Sequence, residues 1–247
     1  MISKAKVRFI KDLQVKKYRL AEQCFLVQGA KAVKETLASD FEVPTLLGTK
    51  DFLGSLDRKV QARVGETLEV SEKILTSVSS VETNNSALAV VRMKVNQPPQ
   101  PPFKDFLLVL DDIRDPGNLG TIIRTADWFG IRNIVASPET TDVYNAKVIN
   151  ATMGSFLRVD IFYTPLSEWL STFSLPVYGT FLTGEDIHTV RFPKSGILVM
   201  GNESRGISAE VEKLITHRIT VPRYGKAESL YASTAAAIVL DNLCRGL

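Results

Sequence analysis

The chain has 247 residues, of which 45% are hydrophobic and 23% charged, and its formal net charge is +3. This composition is typical of a soluble globular protein, and we expect neither a membrane span nor a signal peptide, because no apolar run is long enough for either. The chain contains two cysteines and two histidines, which excludes a mechanism built on several histidines and gives no metal-ligand spacing. We therefore expect no metal site and a reducing, cytoplasmic location.

The N-terminal segment is strongly basic. Residues 1–19 carry seven Lys or Arg side chains against the single acid Asp12, and they include Lys4, Lys6, Arg8 and Lys11. Such a cluster fits a surface that binds a polyanion, and it equally fits a solvated helix face. The charge run leaves both interpretations open.

The first block of the chain predicts a small α/β domain. Short apolar runs and amphipathic stretches alternate, and the block ends at "VNQPPQPPF", where four prolines exclude a helix or a central strand. The predicted strands are 24–29, 43–48 and 86–95, and the predicted helices are 30–39, 51–64 (weakly) and 71–80, the last opened by Ser71. We divide the chain into a domain 1–94, a linker 95–103 and a second domain 104–247.

The second domain predicts a parallel sheet. Its apolar strands are continuous rather than alternating, which indicates burial on both faces, and helical segments separate several of them. The predicted strands are 106–111, 133–137, 157–162, 176–182, 196–201 and 217–222, and the predicted helices are those from about 118, from 145 to 153 and from 229 to 245.

Three predicted strands in this domain run into loops that contain glycine and polar residues. The loops lie within "DDIRDPGNLGTIIRTADWFG" (111–130), "ILVMGNESRGIS" (197–208) and "ITVPRYGKAESLYAS" (219–233). Parallel strands end at a shared edge, where ligands bind, and glycine lets the backbone approach a ligand closely. Each feature also has an ordinary structural explanation: 115–118 as a turn, Arg124 as a snorkelling side chain, Glu203 as a helix-entry acid and Ser229 as an N-cap. The convergence of three loops on one edge favours a site.

Nucleotide-dependent enzymes fit this pattern less well. "DPGNLG" lacks the third glycine of the dinucleotide fingerprint, and no phosphate-binding G-x-x-x-x-G-K-[ST] sequence occurs. A Rossmann-type oxidoreductase is therefore a weaker alternative, with His188 as its conceivable base.

The three stretches resemble, in order and in internal spacing, the signature motifs of the SpoU (TrmH-like) RNA ribose methyltransferases. The resemblance is strong over 104–247, and "FLVQGAKAVKETL" is similar to the small ribosomal-protein-like domain that often precedes this catalytic domain. It implies S-adenosylmethionine as cofactor, an RNA ribose 2′-hydroxyl as acceptor, a homodimer, and a parallel-sheet α/β fold with a C-terminal trefoil knot. Ribosomal RNA is favoured over transfer RNA as substrate.

The resemblance also implies roles for individual residues. Catalysis is assigned to Asn118, Arg124, Glu203 and Ser229, with Glu203 orienting Arg124 through a charge-assisted pair. Cofactor binding is assigned to Thr180, Gly201, Val221 and Leu230, and RNA binding to Lys4, Lys6, Arg8, Lys11 and Arg124.

One residue departs from the family pattern. The third motif usually reads Ser-Leu-Asn, whereas this chain has Ser229, Leu230 and Tyr231. A phenol replaces an amide that has two donor hydrogens and an acceptor. An RNA-binding homologue with lost or weakened catalysis is therefore the alternative to an active methyltransferase.

Overall fold

A computed structural model describes residues 2–80, 84–103 and 105–245, and the chain divides into two compact units. The first unit contains the residues up to Val95 together with Tyr144–Leu157, and the second contains Asn96–Val143 and the chain from Arg158 onward. Lys104, where we place the start of the second domain, lies outside the described residues, as do Met1 and the last two residues.

The residues before the proline-rich segment form six helices and four strands in the described ranges. In chain order these are α1 (Lys4–Asp12), α2 (Lys16–Glu22), β1 (Cys24–Gln28), α3 (Ala30–Ala38), β2 (Thr45–Gly48), α4 (Lys50–Gly54), α5 (Arg58–Gln61), β3 (Glu66–Glu69), α6 (Glu72–Val78) and β4 (Ala87–Arg92).

The residues after the proline-rich segment continue the alternation of strands and helices. They form β5 (Leu107–Leu110), α7 (Pro116–Trp128), β6 (Asn133–Ala136), α8 (Ala146–Thr152), a 3-10 turn (Ser155–Leu157), β7 (Asp160–Tyr163), α9 (Leu166–Leu170), β8 (Val177–Asp186), β9 (Ile197–Met200), α10 (Ala209–Glu212), β10 (His217–Thr220) and α11 (Ala232–Arg245).

The sheet of the first unit is buried on both faces. Its order is β1-β4-β2-β3, with β4 antiparallel to both β1 and β2, and β2 parallel to β3. Successive side chains of a strand point to opposite faces, and in β1 Phe25 packs in one apolar cluster while Leu26 packs in the other. The second cluster includes Ile10 of α1, so this helix covers one face of the sheet.

Residues 144–157 contribute to the core of the first unit although they lie far along the chain. The Tyr144 ring lies 4.5 Å from the Phe25 ring, and the Phe156 ring lies 5.9 Å from Phe25, centroid to centroid. Ile149 of α8 is buried in the same cluster.

The second unit is built on a six-stranded sheet of order β10-β8-β9-β5-β6-β7, in which every pairing is parallel. All residues of the two central strands β5 and β9 are buried. Helix α7 connects β5 to β6 and packs against α11. Because the strands are parallel, the loops that follow β5, β9 and β10 leave the sheet at the same edge.

The long strand β8 pairs with β10 in two separate segments. Tyr178 and Gly179 face His217 and Arg218, whereas Glu185 and Asp186 face Ile219 and Thr220. Residues 180–184 of β8 therefore have no partner in β10 and form an offset. Leu182, in the middle of this offset, is 78% exposed.

The parallel sheet and the smaller α/β unit confirm the predicted fold class. Each predicted strand overlaps an observed one, although β7 and β8 extend beyond the predicted ends at 162 and 182, and the trefoil knot stays a prediction. The pattern missed β3, because its sequence ETLE is mostly exposed and carries no apolar signal. It also missed the short helices α9 and α10.

The predicted start of the last helix is wrong. Helix α11 begins at Ala232, and its first hydrogen bond runs from the backbone N–H of Ala235 to the carbonyl of Tyr231. Ser229 therefore lies in the preceding loop and is not the N-cap. The loop stays irregular through Leu230, so the helix cannot start earlier.

Truncation of a central core residue should destabilise the second unit. Leu108 is fully buried in β5, between Ile134 of β6 and Leu198 of β9. We expect Leu108→Ala to lower the free energy of unfolding by about 2 to 5 kcal/mol, because it leaves a cavity in the sheet. Urea denaturation followed by circular dichroism measures this. Leu182→Ala is the control and should change stability by less than about 0.5 kcal/mol; equal effects of the two variants would contradict the central position of β5.

Candidate functional site

The loop after β5 is shaped by the start of α7. Asp115 is the N-cap of this helix, and its carboxylate accepts a hydrogen bond of 2.8 Å from the backbone N–H of Asn118. Pro116 occupies the first turn, where its missing N–H costs nothing. The cap and the proline fix the first turn of α7, and Asn118 is held there with 9% of its surface exposed.

The loop after β9 is closed on itself. The backbone N–H of Asn202 donates to the carbonyl of Gly206 at 3.1 Å, and the N–H of Gly206 donates back at 2.9 Å. Gly206 has a φ of +72°, which favours glycine. A Cβ on Gly201 would lie under 3.0 Å from backbone atoms of Gly206 and Ile207, so glycine is required there too.

These two loops are hydrogen-bonded to each other. The Asn202 amide donates to the carbonyl of Asp112 at 2.8 Å, and the backbone N–H of Ser208 donates to the buried carboxylate of Asp111 at 2.7 Å. Asp112 itself has a φ of +58°. Its carboxylate hydrogen-bonds Arg114, and this bond and the charge of Asp112 raise the pKa of the Arg114 guanidinium above its ordinary value.

The Asn118 side chain, in the first turn of α7, joins two other parts of the second unit, the loop after β9 and the first turn of α11. Its amide group donates to the carboxylate of Glu203, 85 residues along the chain, at 2.5 Å. Its carbonyl oxygen accepts a hydrogen bond of 2.6 Å from the hydroxyl of Ser233, which is 115 residues away. We call Asn118, Glu203 and Ser233 the polar triad. It ties the helix after the first loop, the second loop and the first turn of α11 together.

Ser233 is the residue of this triad that the sequence analysis missed. A usable signal was present, since Ser233 falls at helical spacing with the buried Ala236 and Leu240 and is therefore a polar residue on the buried face of α11. Ser229, the serine that the resemblance selects, is exposed and makes no hydrogen bond with the described residues.

Arg124 does not join the triad. It is exposed on α7 and makes no hydrogen bond or ion pair with the described part of the chain. Arg124 lies six positions after Asn118 in the helix, which is not a whole number of turns, so the two side chains leave the helix on different faces. The expected pair between Glu203 and Arg124 is therefore not formed, and Glu203 contacts Asn118 instead.

The four positions assigned to cofactor binding lie in β8, directly after β9, directly after β10, and in the loop before α11. The Thr180 hydroxyl donates to the carbonyl of Val199 in β9 at 3.3 Å, and Gly201 follows the same strand. Val221 follows β10 and is half-buried, whereas Leu230 is 44% exposed in the loop before α11.

The loop before α11 has free backbone donors. From Arg223 to Tyr231, no backbone N–H donates to another described residue. Such groups suit a polar ligand that is held through backbone contacts, so the chemistry of this loop fits a nucleoside-containing cofactor.

The four basic residues assigned to RNA binding lie on α1, in the first unit. Lys6 pairs with Glu66 at 2.7 Å and Arg8 with Asp12 at 3.7 Å. Lys4 and Lys11 are exposed and make no ion pair with the described residues. Lys6 and Arg8 are paired with carboxylates, as on a solvated helix face, whereas Lys4 and Lys11 have no such partner among the described residues. The structure is therefore consistent with both a solvated helix face and a surface that binds a polyanion.

The described ranges contain no group of three or more His, Cys, Asp or Glu side chains that could hold a metal ion. None of their helices combines the length and the apolar character needed to cross a membrane.

A parallel sheet whose strand-end loops are hydrogen-bonded to each other is typical of α/β domains that bind ligands at the carboxyl ends of their strands. A family model described as the SpoU rRNA Methylase family matches residues 105–241, and one described as the MRM3-like substrate binding domain matches residues 4–89. The chain belongs to the SpoU rRNA methylase family.

Individual relatives cover almost the whole chain. The 23S rRNA (guanosine(2553)-2′-O)-methyltransferase RlmP of Bacillus subtilis is 32% identical and spans 96% of this chain and 95% of its own length. The 23S rRNA (uridine(2479)-2′-O)-methyltransferase of Streptomyces viridochromogenes is 27% identical over 90% of this chain and 82% of its own. The structure of an AdoMet-bound rRNA methyltransferase from Sinorhizobium meliloti superposes with a TM-score of 0.90 at 29% identity, covering 100% of this chain and 97% of that one.

Removal of the Ser233 hydroxyl should weaken the polar triad. Ser233→Ala leaves the Asn118 carbonyl without its donor in a partly buried site, and we expect a loss of about 1 to 2 kcal/mol in the free energy of unfolding. Urea denaturation measures the loss. Thr234→Ala is the matched control, because Thr234 is exposed on the same turn and gains the same helix-favouring alanine. If both variants lost equal stability, the hydrogen bond to Asn118 would contribute nothing specific.

Proposed function

We propose that this chain transfers a methyl group from S-adenosylmethionine to the 2′-hydroxyl of a ribose in RNA, and that ribosomal RNA rather than transfer RNA is its substrate. The observation that carries the proposal is the polar triad, which joins the first turn of α7, the loop after β9 and the first turn of α11 inside the segment that the SpoU family model matches. The relatives from Bacillus and Streptomyces are 2′-O-methyltransferases of 23S rRNA and support the choice of RNA.

The reaction requires alignment and the loss of one proton. S-adenosylmethionine supplies a methyl group that is already activated on a sulfonium, so that the C–S bond breaks as the ribose oxygen forms its new C–O bond. The residues of this chain must therefore position the hydroxyl in line with the methyl group and help its proton to leave. Water exclusion and fixed dipoles at the strand-end loops serve the same purpose.

Cofactor binding is assigned to the loops after β9 and β10. Gly201 brings the backbone of the closed second loop to the end of β9, and Thr180 lies on the neighbouring strand. Val221 and Leu230 bracket the loop whose N–H groups are free to donate to the cofactor. We assign Asn118, Glu203 and Ser229 to the acceptor side of the same edge.

Arg124 is assigned to the substrate. A guanidinium stays protonated in proteins and cannot be the resting base, so its role is to bind the target phosphate or to polarise the hydroxyl. Trp128 lies one turn further along α7, and its side chain is 84% exposed. An exposed helix face with a tryptophan and an arginine that has no ion-pair partner among the described residues suits contact with a second copy of the chain. We therefore propose a homodimer in which Arg124 reaches the partner chain rather than the polar triad of its own chain. We place this homodimer in the cytoplasm.

The substitution at position 231 is compatible with this chemistry. Tyr231 is 74% exposed, and its hydroxyl makes no hydrogen bond with the described residues. Ser233 provides the contact from the third motif to Asn118 instead. Because the triad is complete without residue 231, an active enzyme is favoured over a homologue that binds RNA and has lost catalysis.

The N-terminal unit is assigned to substrate binding. Lys4 and Lys11 are free to contact phosphates, and Lys6 and Arg8 can exchange their exposed carboxylate partners for RNA at little cost. Binding that depends on several phosphate contacts weakens steeply with salt.

Methyl transfer from labelled S-adenosylmethionine to RNA from cells that lack the gene tests the proposed function. We expect label in ribosomal RNA, and digestion to nucleosides should release a 2′-O-methylated nucleoside. Label in transfer RNA would support the proposed reaction and contradict ribosomal RNA as the substrate. Absence of transfer to any RNA, including immature ribosomal particles, would favour the binding-only alternative, and Tyr231→Asn would then show whether residue 231 is the cause.

Substitution of Arg124 should reduce turnover. We expect Arg124→Ala to lower kcat by about 10²-fold, the usual effect of removing one charge-stabilising donor. Arg124→Lys should recover only part of it, because an ammonium lacks the planar fork. Steady-state methylation assays measure both, with Arg132→Lys as the control, since Arg132 is exposed just before β6 at the opposite edge of the sheet. Full activity of Arg124→Lys would show that the fork is not used.

A further inference from the structure

Two exposed arginines meet on one carboxylate next to the polar triad. Arg114 Nε lies 2.6 Å from Asp112 Oδ1, and Arg205 Nη1 lies 3.8 Å from Asp112 Oδ2. The Asp112 side chain is 16% exposed, whereas those of Arg114 and Arg205 are 56% and 70% exposed. The carboxylate is thus a largely buried anchor; Asp112 and the two guanidinium groups together carry one net positive charge, and the Glu139 carboxylate also acts on Arg114.

Backbone geometry fixes the positions of both arginines. Asp112 is held at positive φ, a conformation that a non-glycine residue keeps where its surroundings determine it. The Asn202 amide group donates to the Asp112 carbonyl, and its oxygen accepts from the backbone N–H groups of Ser204 and Arg205. One asparagine therefore links the backbone of Asp112, two residues before Arg114 in the loop after β5, to the backbone of Arg205 in the loop after β9.

Most hydrogen-bond donors of the two guanidinium groups are still available. Arg114 uses its Nε for Asp112, and its terminal nitrogens make no hydrogen bond with the described residues. Arg205 is at ion-pair distance without a hydrogen bond. Exposed ion pairs of this kind add little to stability, so folding alone gives small reason for the arrangement. Five N–H donors in a planar fork match the oxygens of a phosphate.

The arginine pair adjoins the proposed acceptor site along both loops. Asp115, three residues beyond Asp112, caps the turn that holds Asn118, and Glu203 lies between Asn202 and Arg205 in the second loop. We propose that Arg114 and Arg205, held by Asp112, form a clamp for one backbone phosphate of the RNA substrate beside the target ribose. The clamp rests on the proposed function, because it needs RNA as the substrate.

RNA binding as a function of salt tests the clamp. The variant is Arg114→Gln combined with Arg205→Gln, and the probes are a fluorescein-labelled single-stranded oligouridylate and an unmodified 23S rRNA transcript. We expect Kd to rise by about tenfold or more, the usual effect of losing charged hydrogen bonds. The slope of log K against log salt should become shallower by about 0.7, because one phosphate contact to single-stranded RNA is lost. S-adenosylmethionine binding, measured by calorimetry, should stay unchanged.

Arg245→Gln is the matched control. Arg245 is an exposed arginine paired with Asp241 at 2.7 Å, and it ends α11, about 20 Å along the helix axis from Ala232. Arg245→Gln removes one positive charge, as each single variant of the clamp does, and should leave the salt slope close to that of the original chain. Equal slopes and Kd values for the control and the double variant would overturn the clamp.

Two further outcomes separate the clamp from the proposed function. A chain that methylates RNA while the double variant behaves like the control would refute the clamp and leave the function standing, whereas a chain that neither binds nor methylates RNA would refute both. Loss of S-adenosylmethionine binding together with RNA binding would mean that the arginines keep the loops in shape, and would also overturn the clamp. The single variants Arg114→Gln and Arg205→Gln, checked by thermal denaturation, should each show a smaller shift in the same direction.

Discussion

The Asn118 carboxamide holds the candidate site together because it presents a donor and an acceptor in opposite directions. The donor meets a carboxylate and the acceptor meets a hydroxyl, so each contact requires a fixed orientation of the amide. This arrangement depends on the parallel sheet, which brings loops from distant parts of the chain to one edge. Loss of any of the three side chains would leave a buried or half-buried polar group unsatisfied.

Much of the fold could be predicted because burial leaves a clear signal. LLVL and ILVM are continuous apolar runs, and this is what strands covered on both faces require. The strand β3 gives no such signal, because it lies at the edge of its sheet and its side chains face water. The inclusion of residues 144–157 in the first unit was equally invisible, since an amphipathic pattern identifies an apolar face and says nothing about which core receives it.

The candidate site could be predicted in outline and not in its contacts. Glycines and polar residues after apolar strands indicated the edge, and the motif resemblance selected Asn118 and Glu203. Glu203 pairs with Asn118 rather than with Arg124 because Asn118 and Arg124 leave α7 in different directions. A sequence motif does not contain those directions. Ser229 was selected by the motif resemblance, which contains no information that α11 begins only at Ala232 and that Ser233 in its first turn meets Asn118.

The contribution of residues 144–157 to the first unit affects how the protein can be divided. A cut at the proline-rich segment would separate Phe25 from Tyr144 and Phe156, and it would leave an opening in one core while attaching an apolar segment to the other piece. The chain leaves the first unit at Val95, returns at Tyr144 and leaves again after Leu157. Transplantation of the N-terminal unit onto another catalytic domain would therefore require three junctions instead of one. Recombination between family members at a single crossover in the linker would mismatch this core in both products.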